Sequence, residues 1–536
     1  MSALHTLSSL PVSNFARHFP SKTSIMISHI TTKNASTSQC CSVNEIPDSP
    51  VTTRRSANYQ PALWKDDYIQ SLTSEYAGES YTRRADQLKA EVRRMFHKVL
   101  DLLEKLELID LLQKLGLSYQ FEDEVTRTLE VIYNTINRGD ICKENLYATA
   151  LEFRLLRQHG YQPFVAILIK GLLSLFEASF LSIDGETILD EAREFATKQL
   201  KEYFEQNKNQ NLSTYVSHAL ELPLHWRMLR LEARWFIDTY RREVGMNSVL
   251  LELAELDFKM VQAVHQQDVR QESRWWKSTG LGEKLCFARD RLMVNFFWTV
   301  GISFQPHFGY GRRMITRLNC LITTMDDIYD VFGSLDELEL FTYIVERWDV
   351  NAIDQLPYYM QICFLTLNNF VNEMAFDIFK EQEFNVVQYL RKAVILAHAY
   401  FFTMVPITKE SLASMEDNTN IIYWSSMIFR LANDLGTSSI ELKRSANEKD
   451  AREHIRYLIS EAWKKMNKER ATNSSFTQAF IEYAMNLART AQYIYQYGDR
   501  NGIQDHETKD TTRKTGNWDQ WDNVLSLLIN PIPLHT

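Results

Sequence analysis

From about Tyr59 to the far end of the chain, apolar residues return at every third or fourth position, with little to interrupt them. In one stretch Val249, Leu253, Leu256, Met260 and Val264 share a stripe, while Glu252, Glu255, Asp257 and Lys259 lie elsewhere. A period near 3.6 belongs to a helix with one buried face. The pattern repeats over 88–115, 147–156, 227–240 and 453–466, and strand-like alternation is scarce. Only 17 Gly and 12 Pro punctuate 536 residues, too few for the many tight turns of a sandwich or propeller. The fold expected is therefore all-α. A chain of this length exceeds a single core. A helix break near Gly245 separates two long helical blocks and sets a boundary near residue 240.

Composition removes several function classes. Lys plus Arg is 59 against 68 for Asp plus Glu, so no basic surface for nucleic acid is implied. Cys40, Cys41, Cys142, Cys286, Cys320 and Cys363 show no paired or regular spacing and read as free thiols. The most apolar window, 165–181, is broken by Lys170 and Glu177, so a soluble chain with no membrane partner is expected. No glycine-rich dinucleotide loop, P-loop or His-Glu-x-x-His pattern occurs. Aromatics at 12% suit a large apolar pocket, although a filled core uses the same side chains.

The first 44 residues contain no Asp or Glu, fifteen Ser or Thr, and Arg17, Lys22 and Lys33. An acid-free, hydroxyl-rich, mildly basic start is the composition of an organelle transit peptide, and its Ser content favours the plastid. Residues 1–53 are accordingly set apart as a transit segment, with 54–240 and 241–536 as the two helical domains.

Two polar constellations carry the chemistry. The run Leu321-Ile-Thr-Thr-Met-Asp-Asp-Ile-Tyr-Asp330 places Asp326 and Asp330 four apart, on one face of a helix, with Asp327 beside them. Like charges stacked there cost helix stability. A hard divalent cation, Mg²⁺ or Mn²⁺, would neutralise them and bridge to a phosphate. A solvated acidic turn is the alternative. In the second, Asn433, Thr437 and Glu441 recur every fourth residue, presenting amide oxygen, hydroxyl and carboxylate in a column. Two oxygen-rich columns in one helical domain point to metal more strongly than either alone. Arginines complete the set: Arg289-Asp290-Arg291 lies upstream, and Arg430 precedes Asn433 by three. Guanidinium forks match phosphate oxygens, though a surface salt bridge is the commoner use of an arginine.

Taken together these runs resemble the class I plant terpene synthases. Arg54-Arg55, eight residues, then Trp64 is similar to the motif of the angiosperm monoterpene branch, and Arg274-Trp275-Trp276 and Leu338-Glu-Leu-Phe-Thr342 extend the resemblance from Arg54 to the end. The resemblance implies an N-terminal relic α-barrel and a C-terminal class I bundle. It implies Mg²⁺ or Mn²⁺, three ions, held by Asp326, Asp327 and Asp330 on one wall and Asn433, Thr437 and Glu441 on the other. Arg289 and Arg430 would grip the diphosphate together with Asp326, Asp330 and Asn433. Trp298 matches a position lining the pocket, though on the apolar run Phe296-Phe297-Trp298 it equally suits a core. Arg54 and Arg55 would close over the site and favour cyclisation. The implied reaction turns geranyl diphosphate into a monoterpene olefin or alcohol plus diphosphate, in a plastid, by a monomer whose partner is that small molecule.

The chain also departs from this family. Asp326 and Asn433 are 107 residues apart, several tens fewer than the family pattern, with Tyr389-Leu-Arg-Lys-Ala393 running straight into Val394. A second shortening follows Arg444, where Ser445-Ala-Asn-Glu-Lys449 replaces a phrase that normally brings a lysine to the diphosphate. Two alternatives follow: a catalytically impaired isoform, and a sesquiterpene synthase using farnesyl diphosphate. The transit-like start and the Arg54-Arg55 pair count against the latter.

Overall fold

A computed structural model describes residues 59, 62, 64–136, 146–161, 171–207, 211–392, 420–441, 448–471, 477–496 and 528. Among them are helices and turns and no strand, as the periodicity requires. The first block holds α1 (Asp66–Ser71), α2 (Glu79–Lys98), α3 (Leu102–Lys114), α4 (Glu122–Ile136), α5 (Leu146–Gln158), α6 (Leu172–Ser179), α7 (Thr187–Gln206), α8 (Asn211–Glu221) and α9 (Leu229–Tyr240). The second holds α10 (Ser248–Thr279), α11 (Leu281–Lys284), α12 (Leu292–Ile302), α13 (Gly309–Asp327), α14 (Leu335–Arg347) and α15 (Tyr358–Gln382). It continues with α16 (Val387–Lys392), α17 (Asn420–Glu441), α18 (Glu448–Ala471) and α19 (Gln478–Tyr495). None of the described helices is long and apolar enough to cross a membrane.

The 32-residue α10 organises the molecule. Asn247 caps it, its side-chain oxygen accepting from the backbone N–H of Val249 (3.0 Å) and Leu250 (3.2 Å). Gly280 ends it in a left-handed conformation, φ +67°, which glycine adopts without Cβ strain. The one-sided stripe expected from the sequence is too narrow. Leu250, Leu251, Leu253, Ala254, Leu256, Phe258 and Val261 are all buried, and so are Asp257, Asp268 and Glu272. Such a helix is covered on several sides, and its carboxylates are buried because distant arginines meet them.

Those arginines fix the helix that matters most for function. Arg312, at the start of α13, is fully buried and donates to Asp268 through Nε (2.9 Å) and Nη2 (2.6 Å), while Nη1 donates to the Ser303 carbonyl (2.8 Å). One turn on, Arg317 Nε donates to Glu272 (3.0 Å). Breaking a buried pair costs about 3–5 kcal/mol, so these bridges set the axial position of α13 against α10. On its other side α13 meets α12, with the Thr299 and Thr316 hydroxyls 2.9 Å apart. α12 in turn packs on α19, where the Ser303 and Tyr483 hydroxyls are 2.6 Å apart, and α19 packs on α17, where Ser425 donates to the Ala484 carbonyl at 2.6 Å.

One apolar core runs from Ile69 to Leu528, on both sides of residue 240. The chain between Tyr59 and Ser71, numbered with the first block, is attached to the second. Asp66 accepts from Ser273 (2.7 Å) and Lys277 (3.0 Å), and Gln70 donates to the Arg270 carbonyl (3.0 Å) while accepting from Arg274 (2.9 Å). Arg274, noted in the sequence as part of an Arg-Trp-Trp phrase, thus serves to hold this strap.

Candidate active site

The C-terminal end of α13 delivers the acidic run. Asp326 and Asp327 close the helix, and the following residues, Ile328–Phe332, form a wider π-helical turn closed by Gly333 N–H donating to the Ile328 carbonyl at 2.8 Å. Such turns are uncommon and cluster at functional sites. The even 3.6 register expected between Asp326 and Asp330 is therefore replaced by a looser one, with Asp330 on the widened turn.

The three aspartates occupy different environments. Asp327 is buried, and its Oδ2 accepts from the backbone N–H of Arg289 (2.7 Å) and from its Nε (3.1 Å). Burial works against the Arg289 charge, but the Asp327 carboxylate outweighs it and holds the guanidinium above its ordinary pKa. The Arg289 guanidinium lies over the Tyr59 ring, 5.1 Å from its centroid, and the negative charge of Asp327 acts on the Tyr59 hydroxyl. Burial pushes that hydroxyl up to about 12. Sequence reading missed Tyr59, although it stands within the eight residues separating Arg55 from Trp64.

Asp326 differs. It is 7% exposed, and its Oδ1 is buried with no hydrogen-bond partner. Burial raises its carboxyl to about 6, with Asp330 and Asp327 adding to the rise and Arg289 opposing it. A buried carboxylate oxygen left unmatched is costly unless a cation meets it. An all-oxygen donor set around it suits a hard divalent ion. Among the described residues no three His, Cys, Asp or Glu side chains already close on one point. That fits an ion which keeps waters and substrate oxygens in much of its shell.

The second constellation lies on α17. Asn433 is 2% exposed, turned inward, and Thr437 and Glu441 follow one and two turns later on the same helix; their side chains lie outside the described part. Arg430 is exposed, its Nε donating to Asp434 on its own helix at 3.1 Å. Trp298, on α12, is 8% exposed and meets Phe429 of α17 at 5.4 Å and Tyr495 of α19 at 6.1 Å between ring centroids. It thus belongs to an aromatic group placed one turn before Asn433. Phe429 and Tyr495 are additions that no motif or spacing singled out. Arg54, Arg55 and the junctions after Ala393 and Arg444 lie outside the described residues.

The chain is similar to known proteins over most of its length. The profile "Terpene synthase, N-terminal domain" matches residues 63–165 and 164–220, and "Terpene synthase family, metal binding domain" matches 277–395 and 393–465. The chain is similar to a myrcene synthase of Quercus ilex named chloroplastic, 53% identical over 606 aligned residues, covering 99% of this chain and 100% of that one. It is also similar to limonene synthase crystallised with 2-fluorolinalyl diphosphate, at TM-score 0.79 and 39% identity, covering 86% of this chain and 99% of that chain. Isoprene synthase from grey poplar, Populus x canescens, in complex with three Mg²⁺ ions and dimethylallyl-S-thiolodiphosphate, matches at TM-score 0.75 and 40% identity, covering 88% and 99%. Each profile is matched in two pieces that meet end to end. An alignment 606 long against 536 residues leaves at least 70 positions facing nothing in this chain. One meeting point, 393–395, is the junction read from the sequence; the other, 164–165, went unnoticed where it abuts the apolar window 165–181. The metal-binding match continues through Arg444 without a break.

Proposed function

The chain belongs to the terpene synthase family, and from that premise we propose that it is a plastid monoterpene synthase, acting as a monomer on geranyl diphosphate with three Mg²⁺ ions. The observation that carries the proposal is the buried, unmatched Asp326 oxygen beside the Arg289–Asp327 pair at the end of α13. Asp326, Asp327, Asp330, Asn433, Thr437 and Glu441 would hold Mg²⁺, which when bound neutralises the leaving diphosphate and polarises its bridging oxygen.

The residues supply the rest. Arg289, kept charged by Asp327, directs a guanidinium at the diphosphate and stabilises the anion as the C–O bond breaks and its electron pair departs with oxygen. Among the described residues Arg430 is held by an exposed pair with Asp434, worth about 0–1 kcal/mol, so exchanging that partner for a diphosphate oxygen costs little. The allylic cation left behind needs π faces and few waters, which Trp298 and its neighbour Phe429 provide. Arg54 and Arg55, a few residues before Tyr59, would cover the site from the strap.

A second reading, a catalytically impaired isoform, rests on the 70 or more unmatched positions. Purified protein incubated with Mg²⁺ and geranyl or farnesyl diphosphate separates the readings. Volatile C10 products support the monoterpene synthase. Turnover of the C15 substrate alone makes it a sesquiterpene enzyme, and no turnover from folded protein leaves the impaired isoform.

A further inference from the structure

The first helical block holds a cavity of about 440 Å³. Its described lining runs from Asp110 to Phe236 and shares no residue with the site at the end of α13. Pockets of about 300–1,000 Å³ are the size that takes small organic ligands. Most of the wall is apolar: Leu151 of α5, Leu172 of α6, Leu200 of α7, Val216 of α8, and Trp235 and Phe236 of α9.

The charged groups on this wall are paired with one another, with one exception among the described residues. Lys114 Nζ donates to Asp110 at 2.8 Å, and Arg154 pairs with the same carboxylate. Arg227 Nη1 donates to both oxygens of Glu232 at 3.0 and 2.9 Å, and a His218 ring nitrogen lies 2.8 Å from that carboxylate. Glu177, on α6, is the exception. It is 9% exposed, and its Oε2 accepts from the Leu224 backbone N–H at 2.7 Å. Its Oε1 accepts from no group among the described residues. Burial raises the carboxyl to about 7, with Arg227 opposing the rise. A buried acceptor without a donor is costly, so Oε1 is the polar point of an otherwise oily chamber.

We propose that this cavity is a second ligand site, taking a neutral, mainly apolar alcohol whose hydroxyl donates to Glu177 Oε1. A cation there would meet the field of Arg227 and Arg154, which already act on this carboxyl, and an anion would meet the carboxylate itself. Water is the competing occupant. A buried water takes about three hydrogen bonds, which a wall of leucine, valine and aromatic carbon supplies poorly. The site is independent of the function proposed above.

Titration calorimetry of the full chain with geraniol, a C10 alcohol, tests the site at pH 8, where the Glu177 carboxylate can only accept. Ser174 lies on the wall one turn before Glu177, and Ser174→Phe puts a ring into the space. It should weaken geraniol at least about tenfold, because ring and ligand compete for one volume. Glu177→Gln keeps an oxygen for the Leu224 N–H and should weaken geraniol about fivefold, the difference between a charged and a neutral acceptor. Geranyl methyl ether, the same body without the donor, should bind the unaltered chain about fivefold more weakly than geraniol. No binding of geraniol overturns the proposal and leaves a cavity that holds water only. Affinity unchanged in both variants also overturns it, because the alcohol then sits elsewhere in the molecule. Equal affinity for alcohol and ether overturns the Glu177 contact. If Ser174→Phe fails to fold, seen as lost far-UV circular dichroism, the near-isosteric Glu177→Gln and the ether carry the test.

Discussion

Asp326 and Asp327 are adjacent in sequence and alike in formula, and the fold gives them opposite circumstances. Asp327 is paired with Arg289 through Oδ2 and Asp326 is not, although each keeps a buried Oδ1 without a hydrogen-bond partner among the described residues. Asp326→Ala should cut turnover of geranyl diphosphate about a thousandfold, the several kcal/mol of charge stabilisation that a bound metal supplies, with the far-UV circular dichroism unchanged. Retained turnover would remove Asp326 from the metal set. Glu152, on α5, shows the same physics away from the site. Burial alone lifts its carboxyl from 4.5 to about 7. The folded state then holds the proton more tightly than the unfolded one, so stability falls as pH rises from about 4.5 to 7 and stays lowered above. Glu152→Gln should therefore raise the melting temperature at pH 8, by the equivalent of about 2 kcal/mol, and leave it nearly unaltered at pH 4. Equal gains at both pH values would count against burial as the cause. The acidic run itself was legible as a string; which aspartate takes the arginine was not, because Arg289 comes from a loop 38 residues earlier.

At the level of elements, helices were legible in the sequence because their signal is local. In α10 the sequence reading set Asp257 off the apolar stripe and passed over Asp268 and Glu272, and all three are buried. Their partners, Arg230, Arg312 and Arg317, lie tens of residues away, and no local period reports them. The π-helical turn at Ile328–Phe332 was likewise hidden, since spacing arguments assume an even helix. The α12–α19 crossing brings Trp298 to Tyr495, and it depends on Gly301. A Cβ there would sit 2.7 Å from Thr490 Cγ2 and 3.0 Å from Met228 Cε. Ala gains about 1 kcal/mol over Gly in helix propensity, but overpacking a close crossing costs about 1–3 kcal/mol. Gly301→Ala should accordingly lower the melting temperature and shift product proportions as the aromatic group moves. A variant that melts higher, with unchanged products, would show that the crossing has room to spare.

For the whole molecule, the break near Gly245 led the sequence reading to two helical blocks, and the core that continues across residue 240 was not readable from it. Apolar stripes state that a face is covered and do not name the cover. The junction at Ala393–Val394 was legible because two known phrases abut there, whereas the one at 164–165 fell in a stretch read only for hydropathy. The strap has a consequence for any shortened form of the protein. A chain trimmed past Gln70 would keep every acidic residue of the site, yet Ser273, Lys277 and Arg274 would lose the partners that fasten them here. Such trimming would bare one flank of the long helix around which the bundle is arranged, so the loss of the strap would be felt far from the cut end.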